Sequence, residues 1–150
     1  MKVGEIMNAN PVTVRIDQTF AEGFAILLRT HHAMLPVVDS EGIYRGIFDV
    51  RDVWQVLLPK AAKLSRKSLE DLSFAHSSPE KMREQIAEAA ALPISRFVTK
   101  EDLPALTPDC TVIQAVLMLD EYGETMAVVD KATRKLVGVL APWQVLDILR

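Results

Sequence analysis

One stretch of this chain is written twice. Leu35-Pro36-Val37-Val38-Asp39, followed by Gly46-Ile47-Phe48, returns about ninety residues later as Met126-Ala127-Val128-Val129-Asp130, followed by Gly138-Val139-Leu140. A helix-start signal precedes each copy, Thr19-Phe20-Ala21-Glu22 in the first and Thr111-Val112-Ile113-Gln114 in the second. A repeated unit can bury its apolar face against its twin. The pattern therefore predicts two like halves about a pseudo-two-fold axis, with ligand-sized crevices at the seam rather than a single catalytic pocket.

Each unit reads β-α-β-β-α, an α+β class. In the first, Val3-Gly4-Glu5-Ile6-Met7 predicts one helical turn and Val12-Thr13-Val14 a short strand. Thr19 and Glu22 form a capping box, each side chain satisfying an orphan backbone N–H. Phe20, Phe24, Leu27 and Leu28 then recur at helical spacing, so residues 19–30 should be an amphipathic helix. Met34 to Val38 reads as a buried strand, Tyr44 to Phe48 as its partner and Val50 to Leu58 as a second helix. The second unit repeats the order. Ile94 to Val98 is the opening turn, Pro104-Ala105-Leu106 a strand, and Thr111 to Tyr122 the capped helix. Met126 to Val129 and Leu136 to Leu140 are the paired strands, and Pro142 to Leu149 is the closing helix.

The closing helices carry more apolar surface than one sheet covers. Val53, Trp54, Val56, Leu57 and Leu58 surround over half of the first, and Val145, Leu146, Ile148 and Leu149 do the same in the second. A helix apolar on two sides is usually buried on two sides, here against the partner repeat or a second chain, so a homodimer is expected. The division is residues 1–58, a connector at 59–92 and a second unit at 93–150. The connector holds a basic stretch, Lys60, Lys63, Arg66 and Lys67, read as a solvated face balanced by Glu70 and Asp71. One helix should follow Ser77-Ser78-Pro79-Glu80 and end before Pro93.

Composition removes several functional classes. The 150 residues are 49% hydrophobic and 25% charged, ordinary for a soluble domain or two joined half-domains. A net charge of −3 argues against nucleic acid or anionic lipid as partner. The single Cys110 leaves no internal disulfide and no thiolate zinc cluster. No apolar run approaches the roughly 18 residues of a membrane span, and Met1-Lys2-Val3-Gly4-Glu5 lacks a secretory signal, so a cytoplasmic location is expected. His31-His32 follow the first helix and His76 is the only other histidine, too few for a metal site. No nucleophile–base pair or glycine-rich phosphate loop is recognisable, so the chain is not expected to be an enzyme.

These motifs together resemble a tandem CBS-domain pair, also called a Bateman module. Ile6-Met7, Pro11-Val12-Thr13-Val14, Leu35 to Asp39, and Gly46-Ile47-Phe48 leading to Asp52 carry the resemblance, over about residues 3–58 and 94–150. It implies a non-catalytic regulatory sensor in signal transduction. The ligand would be adenosine-containing (AMP, ADP, ATP or S-adenosylmethionine) in a cleft between repeats, with no required cofactor, and flat dimers are common.

In the family, nucleotide-binding repeats end a strand with glycine, two apolar residues, Thr or Ser, two further residues and Asp. The aspartate holds the ribose hydroxyls and the hydroxyl side chain lies near phosphate. Gly46 to Asp52 keeps the aspartate but places Asp49 at the hydroxyl position; Gly138 to Gln144 has Ala141 and Gln144 instead. The resemblance thus implies one competent cleft. Ile47, Asp49, Arg51 and Asp52 would face Thr99, Leu103, Pro104 and the turn Gly123-Glu124-Thr125-Met126. In a second, degraded cleft, Ala141, Trp143 and Gln144 would face Asn10, Pro11 and Val12. A carboxylate at position 49 suits a cationic tail better than a polyphosphate. The competing readings are a ligand-free structural or dimerisation module, Asp49 as a helix N-cap, Asp52 as a helix-start carboxylate, and Trp143 as packing.

Overall fold

The two copies fold alike. A computed structural model describes residues 1–58, 78–98 and 104–150. The first copy contributes α1 (Val3–Ile6), β1 (Val14–Arg15), α2 (Phe20–Thr30), β2 (Met34–Val38), β3 (Tyr44–Asp49) and α3 (Val50–Leu57). After α4 (Pro79–Ala89) and a 3-10 turn at Ile94–Arg96 come α5 (Val112–Tyr122), β4 (Met126–Val129), β5 (Leu136–Leu140) and α6 (Pro142–Asp147). The basic stretch of the connector lies outside the described residues.

The predicted caps hold the long helices. The Thr19 hydroxyl accepts from the Glu22 amide at 3.3 Å, and the Thr111 hydroxyl accepts from the Gln114 amide at 3.2 Å. Both helices stop at a left-handed residue, His31 (φ 55°) and Gly123 (φ 69°). That conformation lets a backbone N–H reach back to an orphan carbonyl.

Register makes the duplication quantitative. Val37 pairs with Gly46 as Val128 pairs with Gly138, and each hairpin slips register one residue on, at Val37/Val38 and Val128/Val129. Pro36 sits in a central strand, yet β1 pairs only with Val37 and Val38, so the proline precedes the stretch bonded to that neighbour. The strand expected at Pro104-Ala105-Leu106 is reduced to one parallel bridge, Leu106 with Val128. Proline brings no N–H, and Leu106 alone supplies both bonds, to Ala127 and Val129.

The opening turns change places. Val3 and Gly4 donate to the Cys110 and Pro108 carbonyls, and Val3 is fully buried with Leu106, Ala115, Met126, Val128 and Leu140. Asn8 exchanges both backbone bonds with Val139. Reciprocally, Ile94 donates to the Gln18 carbonyl and is buried in the first core with Phe20, Leu35 and Phe48. Each opening turn therefore plugs the other copy's core, although sequence adjacency attaches it to its own. Gly23 admits this: a Cβ there would lie 2.8 Å from Ile94 Cδ1. Four rings, Phe20, Phe24, Phe48 and Phe97, pack in the first core with centroids 5.2–6.1 Å apart.

The hairpins meet edge to edge. Tyr44 donates to the Arg134 carbonyl and Leu136 to that of Gly42, and Tyr44, Ala127 and Val129 bury a third core between the copies. Helix α4 packs on α2 and α3. Among the described residues, no helix is long and apolar enough to cross a membrane.

Candidate functional site

Where the two hairpins end, their turns leave a groove of about 740 Å³ astride the pseudo-dyad. Its walls come in equivalent pairs. The turn His31-His32-Ala33-Met34 before β2 faces Gly123-Glu124-Thr125 before β4. Asp49, Val50 and Arg51 at the end of β3 face Ala141, Pro142, Trp143 and Gln144 at the end of β5. Asn8, Pro11 and Val12 close one side. Among the described residues, members of both clefts expected from sequence meet in this groove.

Most of the expected residues meet here, and some do not. Asp49, Arg51, Gly123, Glu124 and Thr125 line the groove, as do Pro11, Val12, Ala141, Trp143 and Gln144. Ile47 turns the other way and packs against the core between the copies. Met126 is buried in the second core. Asn10 is exposed, its amide donating to Asn8 Oδ1, and it is Asn8 that reaches the groove. Pro104 and Asp52 are half-buried outside the lining, Asp52 standing behind Asp49 in the first turn of α3. Thr99 and Leu103 lie outside the described residues. The sequence reading passed over His31 to Met34. The signal was present, because these residues occupy in the first copy the place that Gly123 to Met126 occupy in the second.

Strand-to-helix junctions fix the polar groups. Asp49, 7% exposed, is the N-cap of α3, its Oδ1 accepting from the Arg51 and Asp52 amides at 2.9 and 3.3 Å. Asp52 completes the capping box, accepting from the Asp49 amide at 2.8 Å. Gln144 does the same in the second copy, its Oε1 accepting from the Ala141 amide at 2.5 Å. Each residue at the ribose-type position therefore spends one oxygen on its own helix. Asp52 keeps a second, anionic oxygen; the other terminal atom of Gln144 is an amide nitrogen, which donates.

Arg51 crosses the seam. Its guanidinium donates to Asp49 Oδ2 at 3.2 Å and to Glu124 Oε1 at 2.7 Å. The carboxylates of Asp49 and Glu124 hold its pKa above the ordinary value. No local pattern in the sequence reveals a pair separated by 73 positions. Among the described residues, the charged lining is Asp49, Glu124 and Arg51, with His31 and His32 beside them.

Burial pushes the Asp52 carboxyl up to about 6, helped by the charge of Asp49 and opposed by the Asp49 amide and Arg51. A carboxyl raised in the folded state binds its proton more tightly there, so its stabilising contribution is present below about 4 and lost as pH rises through about 6. Asp52→Asn should remove this dependence. Relative to wild type, the variant should gain about 1 kcal/mol between pH 4 and pH 7, once solvent screening is allowed for. Urea denaturation at the two pH values measures it, and a wild-type-minus-variant difference that does not change with pH contradicts it.

Comparison with known proteins agrees with this architecture. The sequence matches the CBS domain family over residues 3–53 and 94–150. An 82-residue stretch is 37% identical to the magnesium transporter MgtE of Thermus thermophilus, covering 52% of this chain and 18% of the transporter. The chain thus spans less than a fifth of that relative's length. A CBS domain-containing protein of unknown function from Kribbella flavida superposes with a TM-score of 0.75 at 18% identity, covering 99% of this chain and 98% of that one. CBSX2, a CBS-pair protein of Arabidopsis thaliana, was solved in complex with AMP; that structure superposes with a TM-score of 0.71 at 18% identity, covering 99% and 98% of the two chains. The CBS domain pair of protein MJ0100, solved with 5′-methylthioadenosine and S-adenosyl-L-methionine, superposes with a TM-score of 0.66 at 18% identity over both full lengths. Two matched segments, folded alike about a shared seam, make this chain a member of the CBS-domain family, a tandem CBS-domain pair.

Proposed function

We propose that the chain is a non-catalytic regulatory module that binds one adenosine-containing ligand in the groove between its repeats. The observation that carries this reading is the groove itself, whose walls come from matching positions of both halves. A ligand there touches two bodies at once and can shift their relative placement if it fits one placement better. The resemblance to pairs solved with AMP, 5′-methylthioadenosine and S-adenosylmethionine supports the ligand class.

Charge selects within that class. Arg51 is already shared between Asp49 and Glu124, so a polyphosphate entering the groove must displace a carboxylate. A sulfonium or a neutral thioether meets no such opposition. We therefore place S-adenosyl and methylthioadenosyl compounds ahead of ATP, with the indole of Trp143 offered to the base.

Thermal unfolding with AMP, ADP, ATP, S-adenosylmethionine, 5′-methylthioadenosine and NADH tests the class. A ligand at a hundred times its dissociation constant adds about 2.7 kcal/mol of stability. S-adenosylmethionine should stabilise the chain more than ATP does at equal concentration. No shift from any compound would favour the ligand-free structural module, to which the capping roles of Asp52 and Gln144 also belong. Glu124→Gln should free Arg51 for phosphate and raise ATP affinity roughly tenfold, without strengthening S-adenosylmethionine binding. Titration calorimetry reads both, and an unchanged ATP affinity would remove Arg51 from the site.

A further inference from the structure

His31 and His32 line the groove, yet nothing in the proposed binding uses them. They close α2: His31 is its left-handed C-cap (φ 55°), the amide bonded to the Leu27 carbonyl, and the His32 amide donates to the Thr30 hydroxyl at 3.4 Å. Gly123 caps α5 in the same way (φ 69°), and Glu124 follows it as His32 follows His31. One half of the groove therefore carries a fixed carboxylate where the other carries an imidazole. The half built around Arg51 holds Asp49 and Glu124, both ion-paired to it. In the half built around Trp143 the imidazoles have Asn8, Pro11, Val12 and Gln144 as fellow lining residues, none of them acidic.

Imidazole takes up a proton between about pH 8 and about pH 5. The C-terminal end of a helix carries a partial negative charge, so with neutral imidazoles the end of α2 mildly repels an anion; with imidazolium it attracts one.

We propose that His31 and His32 make ligand choice depend on pH: proton uptake turns their half of the groove cationic, and adenosine compounds bearing phosphate then overtake uncharged thioether nucleosides as preferred ligands. The proposal rests on the reading that the groove binds an adenosine-containing ligand, and adds the condition under which a phosphate is admitted. The groups facing the imidazoles are Asp49 and Arg51 at the start of α3, Glu124 on the opposite turn, and Trp143 and Gln144 at the start of α6. Arg29 lies on the last turn of α2 itself. Arg51 stays charged throughout, so its pull on a phosphate does not change with pH. Asp52, behind Asp49, is the rival source of pH dependence, because burial pushes its carboxyl up to about 6 and its neutralisation would also favour an anion.

ADP-ribose and 5′-methylthioadenosine serve as probes. Both phosphates of the first are esterified and the second is neutral, so neither changes charge across the range used. Titration calorimetry of the wild-type chain should show ADP-ribose binding strengthen about tenfold from about pH 7.5 to about pH 5.5, the size expected of a unit charge close to phosphate in a water-filled groove. Binding of 5′-methylthioadenosine should stay constant. His31→Asn combined with His32→Gln should abolish the gain for ADP-ribose; asparagine is chosen because it tolerates the left-handed conformation of residue 31. Asp52→Asn should retain the gain. A wild-type ADP-ribose affinity that ignores pH, beside normal 5′-methylthioadenosine binding, overturns this proposal and leaves the groove as a ligand site. A gain that survives both histidine substitutions, or that disappears in Asp52→Asn, overturns it as well. If neither compound binds at either pH, the groove is no adenosine site and the proposal falls with that reading.

Discussion

Phe20→Ala should lower the free energy of unfolding by about 3–5 kcal/mol, the largest loss expected from any single truncation in the chain. Phe20 is fully buried, stacked on Phe24 and Phe48 and tilted against Phe97, with ring centroids 6.1, 5.8 and 5.2 Å away. Removing it opens a cavity at the point where β3, α2 and the turn following the connector converge. Those walls are tied by backbone bonds, Phe20 to the Leu92 carbonyl and Ile94 to that of Gln18, so they cannot collapse into the space. Chemical denaturation measures the loss. Phe20→Leu should recover much of it, because most of the volume returns. A loss near 1 kcal/mol for the alanine variant would mean the rings are not packed as described.

Gly138→Ala should cost about 2–3 kcal/mol although it adds only one carbon. A Cβ at Gly138 would lie 2.7 Å from the Asn8 carbonyl oxygen and 2.8 Å from Met7 Sδ. Methionine can swing aside; the Asn8 carbonyl is bonded to the Val139 amide at 3.0 Å and cannot. The substitution therefore pries the chain's first residues from the second repeat's sheet. Limited proteolysis should show earlier cleavage in residues 1–12 of the variant. If Gly138→Ala is neutral, the exchange of opening turns is not what closes the second core.

The sequence made the architecture legible because duplication supplies its own control. The N-caps at Thr19 and Thr111, the strand pairs and the starts of the closing helices stand where periodicity placed them, since each signal is local; only Thr111 completes its box, because the Glu22 carboxylate accepts from Gln18 Nε2 and Thr19 Oγ1 instead of the Thr19 amide. Asp49 as an N-cap was also readable from its position before Val50-Arg51-Asp52. What sequence could not give is exchange. Val3 and Ile94 look alike and each adjoins its own repeat, and no local pattern says that each belongs to the other's core. The groove suffered for the same reason. Ile47 has the spacing of a cleft residue, but the meeting of the hairpins through Tyr44 and Leu136 turns its side toward the core between the copies. His31 to Met34 joined the lining through the pseudo-dyad, a relation between distant segments rather than a motif.

Co-crystals grown with saturating S-adenosylmethionine ask the decisive question of the groove. Ligand density should lie across the pseudo-dyad, in contact with both repeats, its base near Trp143. An empty groove at saturation, or a ligand bound outside it, would contradict the reading of these paired walls as a binding site.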